Sequence, residues 1–82
     1  MPKIRVKFNG RYLAAIESFP SAVEFLEEHL RREVNVSRSE CQRAVDELSA
    51  WFAKEPTVDS FHTVPFSDGK DLVVSVEARM RF

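Results

Sequence analysis

One cysteine, two glycines and no apolar run longer than five residues set the first limits on this 82-residue chain. A single cysteine, Cys41, excludes an internal disulfide, and a small domain that folds without one is expected in a reducing, cytoplasmic setting. Two glycines, Gly10 and Gly69, both in turn contexts, cannot build a glycine-rich phosphate loop or a nucleophile elbow. The longest apolar run, Tyr12 to Ile16, falls far short of the ~20 residues that cross a bilayer, so no membrane partner is expected. The opening Met-Pro-Lys-Ile-Arg-Val-Lys has the charge of a signal-peptide n-region, but no apolar h-region follows it. Cys41, His29 and His62 lack paired-ligand spacing such as C-x-x-C or H-x-x-x-H, so neither a metal nor another cofactor is expected.

What the chain does have is apolar content and ordered charge. Hydrophobic residues make up 44% of it, seven of them Phe, enough for a packed globule and a single domain over 1–82. The net charge of −1 conceals segregation. Lys3, Arg5, Lys7 and Arg11 open the chain without a single acid. Glu17, Glu24, Glu27, Glu28 and Glu33 follow against Arg31 and Arg32. A basic sheet and an acidic helical layer are predicted, an asymmetry that bears on partners more than on fold.

Lys3–Phe8 and Arg11–Ile16 flank Asn9-Gly10, a strong hairpin signal because both turn residues tolerate positive φ. A two-residue turn sets Val6 opposite Leu13 and leaves Tyr12 beside Lys7. A three-residue loop with Gly10 as a bulge sets Val6 opposite Tyr12, and it is preferred because it gives the more apolar inner face. Tyr12 to Ile16 is apolar on both faces, which predicts cover on both sides. Ser18 or Ser21 caps a helix whose buried face is Ala22, Val23, Phe25, Leu26 and Leu30. Ser21-x-x-Glu24 reads as a capping box, and Glu27–Arg31 and Glu28–Arg32 as outward i,i+4 pairs. After a break at 34–36, Ser37 and Glu40 form a second capping box. Cys41, Ala44, Val45, Leu48 and Phe52 then recur at helical spacing until Pro56. Residues 58–66 read as a strand that Pro65 assigns to an edge. Ser67 to Asp71 turns into a last strand over 72–82, with Leu72, Val74, Val76, Ala78, Met80 and Phe82 on one side and Val73, Ser75, Glu77, Arg79 and Arg81 on the other. The expected fold is α+β, ordered ββααββ, with a four-stranded, mostly antiparallel sheet and two helices packed on one face.

Enzymatic chemistry has little to stand on. Cys41 lies on the apolar stripe of the second helix, where a small buried thiol is ordinary, and neither His29 nor His62 stands at a spacing that implies a nucleophile pair. Residues 21–54 do not make a DNA-reading helix-turn-helix, since the break lacks glycine and the second helix carries Asp46 and Glu47. The basic sheet face holds the better lead. Lys3, Arg5, Lys7, Arg79 and Arg81 form one patch if the first and last strands are neighbours, which suits a phosphate backbone, and Tyr12 is the one candidate ring for stacking, in the two-residue register alone. The plainer role of such alternation is solubility and protection against edge pairing. Trp51 is expected to close the core against Phe61 or Phe66, with a partly exposed interface anchor as its functional alternative. Glu24 and Glu28 mark the acidic helical surface as a second candidate contact.

In length, compactness and lack of a catalytic constellation the chain resembles the small inhibitors that phages and mobile elements direct against host machinery, anti-CRISPR proteins among them. That resemblance is one of size and architecture and covers no particular residue. The function expected from the sequence is a non-enzymatic protein-binding module, an inhibitor or regulator of a larger protein or nucleoprotein machine. Its candidate contacts are Lys3, Arg5, Lys7, Arg79, Arg81, Tyr12, Trp51, Glu24 and Glu28. The alternatives are a nucleic-acid-binding protein using the basic face, and a structural domain that forms a homodimer.

Overall fold

Asn9 and Gly10 reverse the chain with φ of 51° and 82°, the two positive values that a type I′ hairpin turn requires. They join strand β1 (Lys3–Phe8) to strand β2 (Arg11–Ile16) in a computed structural model that describes residues 3–33 and 36–78. Neither expected register holds along the whole hairpin. Phe8 faces Arg11 and Lys7 faces Tyr12, as a two-residue turn demands, but Leu13 is then a bulge that sets Val6 against Ala14 and Ile4 against Ile16. The three-residue loop does not form because Asn9 itself accepts positive φ. The bulge, not a longer loop, supplies the apolar inner face: Leu13 and Ile16 both pack against the core. This also explains the doubly apolar run without cover on both sides, since Ala15, opposite Arg5, is left on the outer face.

Helix α1 (Phe19–Glu33) is capped by Ser18, whose Oγ accepts from the Ser21 N–H at 3.2 Å. Ser21 therefore sits inside the first turn and does not form the predicted box with Glu24. Glu28 lies 3.8 Å from His29 Nε2, rather than pairing with Arg32. Helix α2 (Arg38–Ala53) is capped by Ser37, which accepts from the Glu40 N–H at 3.2 Å. The Glu40 carboxylate does not turn back to Ser37. It reaches the far turn, where the Ser67 N–H and hydroxyl donate to Oε1 and Oε2, each at 2.9 Å.

Strands β3 (Phe61–Pro65) and β4 (Asp71–Glu77) complete a sheet ordered β2-β1-β4-β3, antiparallel at every junction. Both helices lie on one face, α1 over β2 and α2 over β3. Between the layers Ile4, Val6, Leu72, Val74 and Val64 cluster with Leu26, Leu30 and Leu48, all essentially withdrawn from water, as is Val76. Each such side chain contributes about 1.5–3 kcal/mol. The five predicted stripe residues of α2, from Cys41 to Phe52, are all buried. Phe8 closes one end edge-on to Phe66 (5.9 Å between centroids), and Phe19 stacks on Phe52 at the other (5.2 Å). Ala78 is exposed beyond the end of β4, not on its apolar side, and 79–82 lie outside the described residues, as do Val34 and Asn35 of the predicted break.

Just past the Lys54 C-cap of helix α2, the Glu55 N–H donates to the Phe52 carbonyl at 2.9 Å, with a Glu55 φ of 52°. A left-handed conformation at this position is the usual task of glycine, because a Cβ there costs about 1–2 kcal/mol. Glu55→Gly is expected to stabilise the domain by about 0.5–1 kcal/mol after the greater unfolded-state entropy of glycine is deducted, raising Tm by a few degrees. Calorimetry of the two proteins checks this, and a lower Tm for the variant refutes it.

Candidate functional site

The helices cover one face of the sheet only. Strand register places the residues of the other face in rows. Tyr12, Lys7, Val73 and Thr63 form one row across β2, β1, β4 and β3, and Ala15, Arg5, Ser75 and Phe61 form the next. Lys3 and Glu77 pair in a third. Lys3, Arg5 and Lys7 line up along β1 as alternation predicts, and Tyr12 joins them through the two-residue turn rather than the preferred three-residue loop, which would set it opposite Val6. Arg79 and Arg81 lie outside the described residues.

Two aromatic rings stand open on this face. Tyr12 is 54% exposed and Phe61 69%. The Arg5 guanidinium carbon lies 5.6 Å from the centre of the Tyr12 ring, a cation–π contact that braces Tyr12 from the β1 side. Arg5 Nη2 stands 3.5 Å from Glu77 Oε1, and Ser75 Oγ donates to Glu77 Oε2 at 3.2 Å. Arg5 Nε is sealed from solvent without an acceptor. An unmet buried donor costs about 1–3 kcal/mol, so the Arg5 head group is loosely satisfied where it lies. Among the described residues, Lys3 and Lys7 form no ion pair.

Phe61 is the residue the sequence reading misplaces. The sequence offers it, or Phe66, as the ring against which Trp51 closes the core, but it stands on the opposite face. The signal was available: Val64 and Phe66 are buried, so a period of two puts His62 inward and Phe61, Thr63 and Pro65 outward. Trp51 packs instead on Phe52 and on the His62 imidazole, each with centroids 5.5 Å apart, while Phe66 is taken by Phe8. Trp51 is half-buried on the helix side, away from the basic rows. Glu24 and Glu28 are exposed on α1, so they belong to neither group.

A second polar arrangement ties α2 to β3. His62 Nε2 lies 2.7 Å from Glu47 Oε2; Glu47 also approaches Arg43, whose Nη2 donates to the Pro65 carbonyl at 2.8 Å. His62 is thereby engaged by a carboxylate. Cys41 borders a groove of about 200 Å³ with Leu26, Glu27, Arg31, Arg38 and Val45, and is 4% exposed. Burial pushes its thiol above the ordinary value; the Arg31 charge pulls it back in part, and the Glu40 carboxylate adds to the rise.

Among the described residues no helix is long and apolar enough to cross a membrane, and no three His, Cys, Asp or Glu side chains gather as a metal site would require. No family model, curated protein or solved structure matches this chain. The class defined by fold and site is thus an α+β domain with one helix-covered and one open sheet face.

Native Cys41 is expected to react with a maleimide far more slowly than the denatured thiol does, since both access and thiolate are scarce. Because the folded state holds this proton longer than the unfolded state, the associated stability is intact below the ordinary thiol pKa. It is lost as pH rises through the raised one. Urea midpoints measured over that alkaline range should fall, and Cys41→Ala should flatten the fall. Equal labelling rates in native and denatured protein would contradict this account.

Proposed function

We propose that this chain is a non-enzymatic binding module whose working surface is the open face of the sheet. One observation carries the reading: Tyr12 and Phe61, both exposed, bracket Arg5 and Lys7 on the face that nothing in the described fold covers. The domain otherwise hides its large apolar side chains well. Of the exposed ones described, only Val58 lies off this face, in the turn that leads into β3. Leaving a Phe ring in water forgoes about 1.5–3 kcal/mol of burial, which a partner covering the ring recovers. The residue types are those that dominate binding hot spots, aromatic rings and arginine. A flat sheet suits a macromolecule better than a small ligand, which needs a concave pocket. Such a module acts by occupying a surface of a larger protein or nucleoprotein assembly, the role of an inhibitor or regulator.

The test compares three immobilised proteins against lysate of the source cells, with both protein and nucleic acid quantified in the eluates. The wild type should retain a macromolecule that Tyr12→Ser/Phe61→Ser loses at unchanged Tm, and that Glu24→Lys/Glu28→Lys keeps. If the occupant is a second copy, sedimentation will show a dimer that the sheet double variant dissociates. Retention lost through the helix variant alone, or no retention and no dimer, overturns the reading.

A further inference from the structure

The geometry points to single-stranded nucleic acid as the occupant of the open face, an inference that rests on the binding-surface reading and narrows it. Tyr12 and Phe61 stand on the two edge strands, three strand spacings apart and one same-face row apart. Sheet dimensions put them about 16 Å apart on a diagonal. Lys7 and Arg5 lie between them on β1, with Lys3 one row further along the same strand. A polymer that alternates flat rings with anionic linkers matches that spacing of ring, cations and ring. Its bases stack on the two aromatics and its phosphates meet the three cations.

Three details favour this occupant over a protein surface. The strip between the rings, Lys7 and Val73 in one row and Arg5 and Ser75 in the next, offers cations and small side chains, with no large apolar residue for a protein knob to press on. Lys3 and Lys7 have no ion pair among the described residues, and the outer end of Arg5, beyond its sealed Nε, is held by a 3.5 Å contact to Glu77 and its place over the Tyr12 ring. A phosphate oxygen offers Arg5 a stronger, bidentate partner than that stretched pair. The overall charge of −1 does not oppose the assignment: Glu24, Glu27 and Glu28 are exposed on α1, behind the sheet, and of the acids on the open face Glu77 is engaged by Arg5 and Ser75 while Asp71 stands at the far end of β4. The field over the open face is set by the charges nearest to it. Unpaired strands are specified because a duplex keeps its base faces stacked on one another and has none to give Tyr12 or Phe61.

Fluorescence anisotropy of the full chain with a labelled mixed-sequence oligonucleotide of about a dozen nucleotides tests this, as single-stranded RNA, single-stranded DNA and duplex. Single strands should bind more tightly than duplex. With three cations engaged, the expected slope of about −0.7 per phosphate contact amounts to a roughly twentyfold loss of affinity between 50 and 200 mM salt. Tyr12→Ala and Phe61→Ala should each weaken binding about tenfold, while Tyr12→Phe and Phe61→Tyr, which keep a ring, should restore it. Lys7→Ala should lower the salt slope by about 0.7. Both rings are exposed, so unchanged circular dichroism and Tm will verify that the variants fold. No binding at low salt, or binding indifferent to both rings, overturns the inference. If a protein is then retained from lysate in a Tyr12- and Phe61-dependent way, the face is a protein-docking surface and the broader reading stands. If neither oligonucleotide binding, lysate retention nor dimerisation depends on these rings, both readings fall.

Discussion

All six residues of β1 pair with β4, from Lys3 opposite Glu77 to Phe8 opposite Leu72, and the rest of the molecule is arranged around that ladder. On its inner side Ile4, Val6, Leu72, Val74 and Val76 are sealed beneath the helices. On its outer side the same alternation places Lys3, Arg5 and Lys7 in a line. Moving β1 by one residue against β4 would expose Ile4, Val6 and Phe8 and bury three cations, so hydrophobic burial on one face dictates the charge pattern of the other. The core thus does more than stabilise. It fixes the register of the surface that faces solvent.

Much of this architecture is legible from the residues. Period-two alternation in 3–8 and 72–76, the α2 stripe from Cys41 to Phe52, the Ser37 cap and the edge position of the Pro65 strand are all local signals, and local signals survive folding when the whole fold agrees with them. The hairpin is less transparent. Asn9-Gly10 announces a turn, but the Leu13 bulge is decided by how Leu13, Ala14 and Ile16 fit against α1 and β1, a tertiary matter that turn chemistry does not record.

The candidate face was half visible for the same reason. Lys3, Arg5 and Lys7 follow from alternation alone, and Tyr12 depends on a register that the two-residue turn settles before the bulge begins. Phe61 offers itself, beside Phe66, as one of two partners for Trp51 at the core's end because a phenylalanine ordinarily belongs inside. The inward residue at that end of β3 is instead His62, which a Glu47 carboxylate and the Trp51 ring make comfortable on the helix side. A polar residue accommodated inside thereby obliges an aromatic one to stand outside.

Helix α2 offers three side chains along one flank to the β3 hairpin: Glu40 to Ser67, Arg43 to the Pro65 carbonyl, and Glu47 to His62. Among the described residues strand β3 pairs with β4 alone, and these tethers add to that ladder and to buried Val64 in keeping it seated. They are polar and partly solvent-exposed, hence screened by salt in a way the core is not. Local opening of β3 therefore has its own free energy, smaller than that of global unfolding and sensitive to ionic conditions. Phe61 rides on that strand with its back to the tethers. How steadily its ring is held on the open face is governed from the opposite side of the sheet, so that the two faces of a four-stranded layer are mechanically one device.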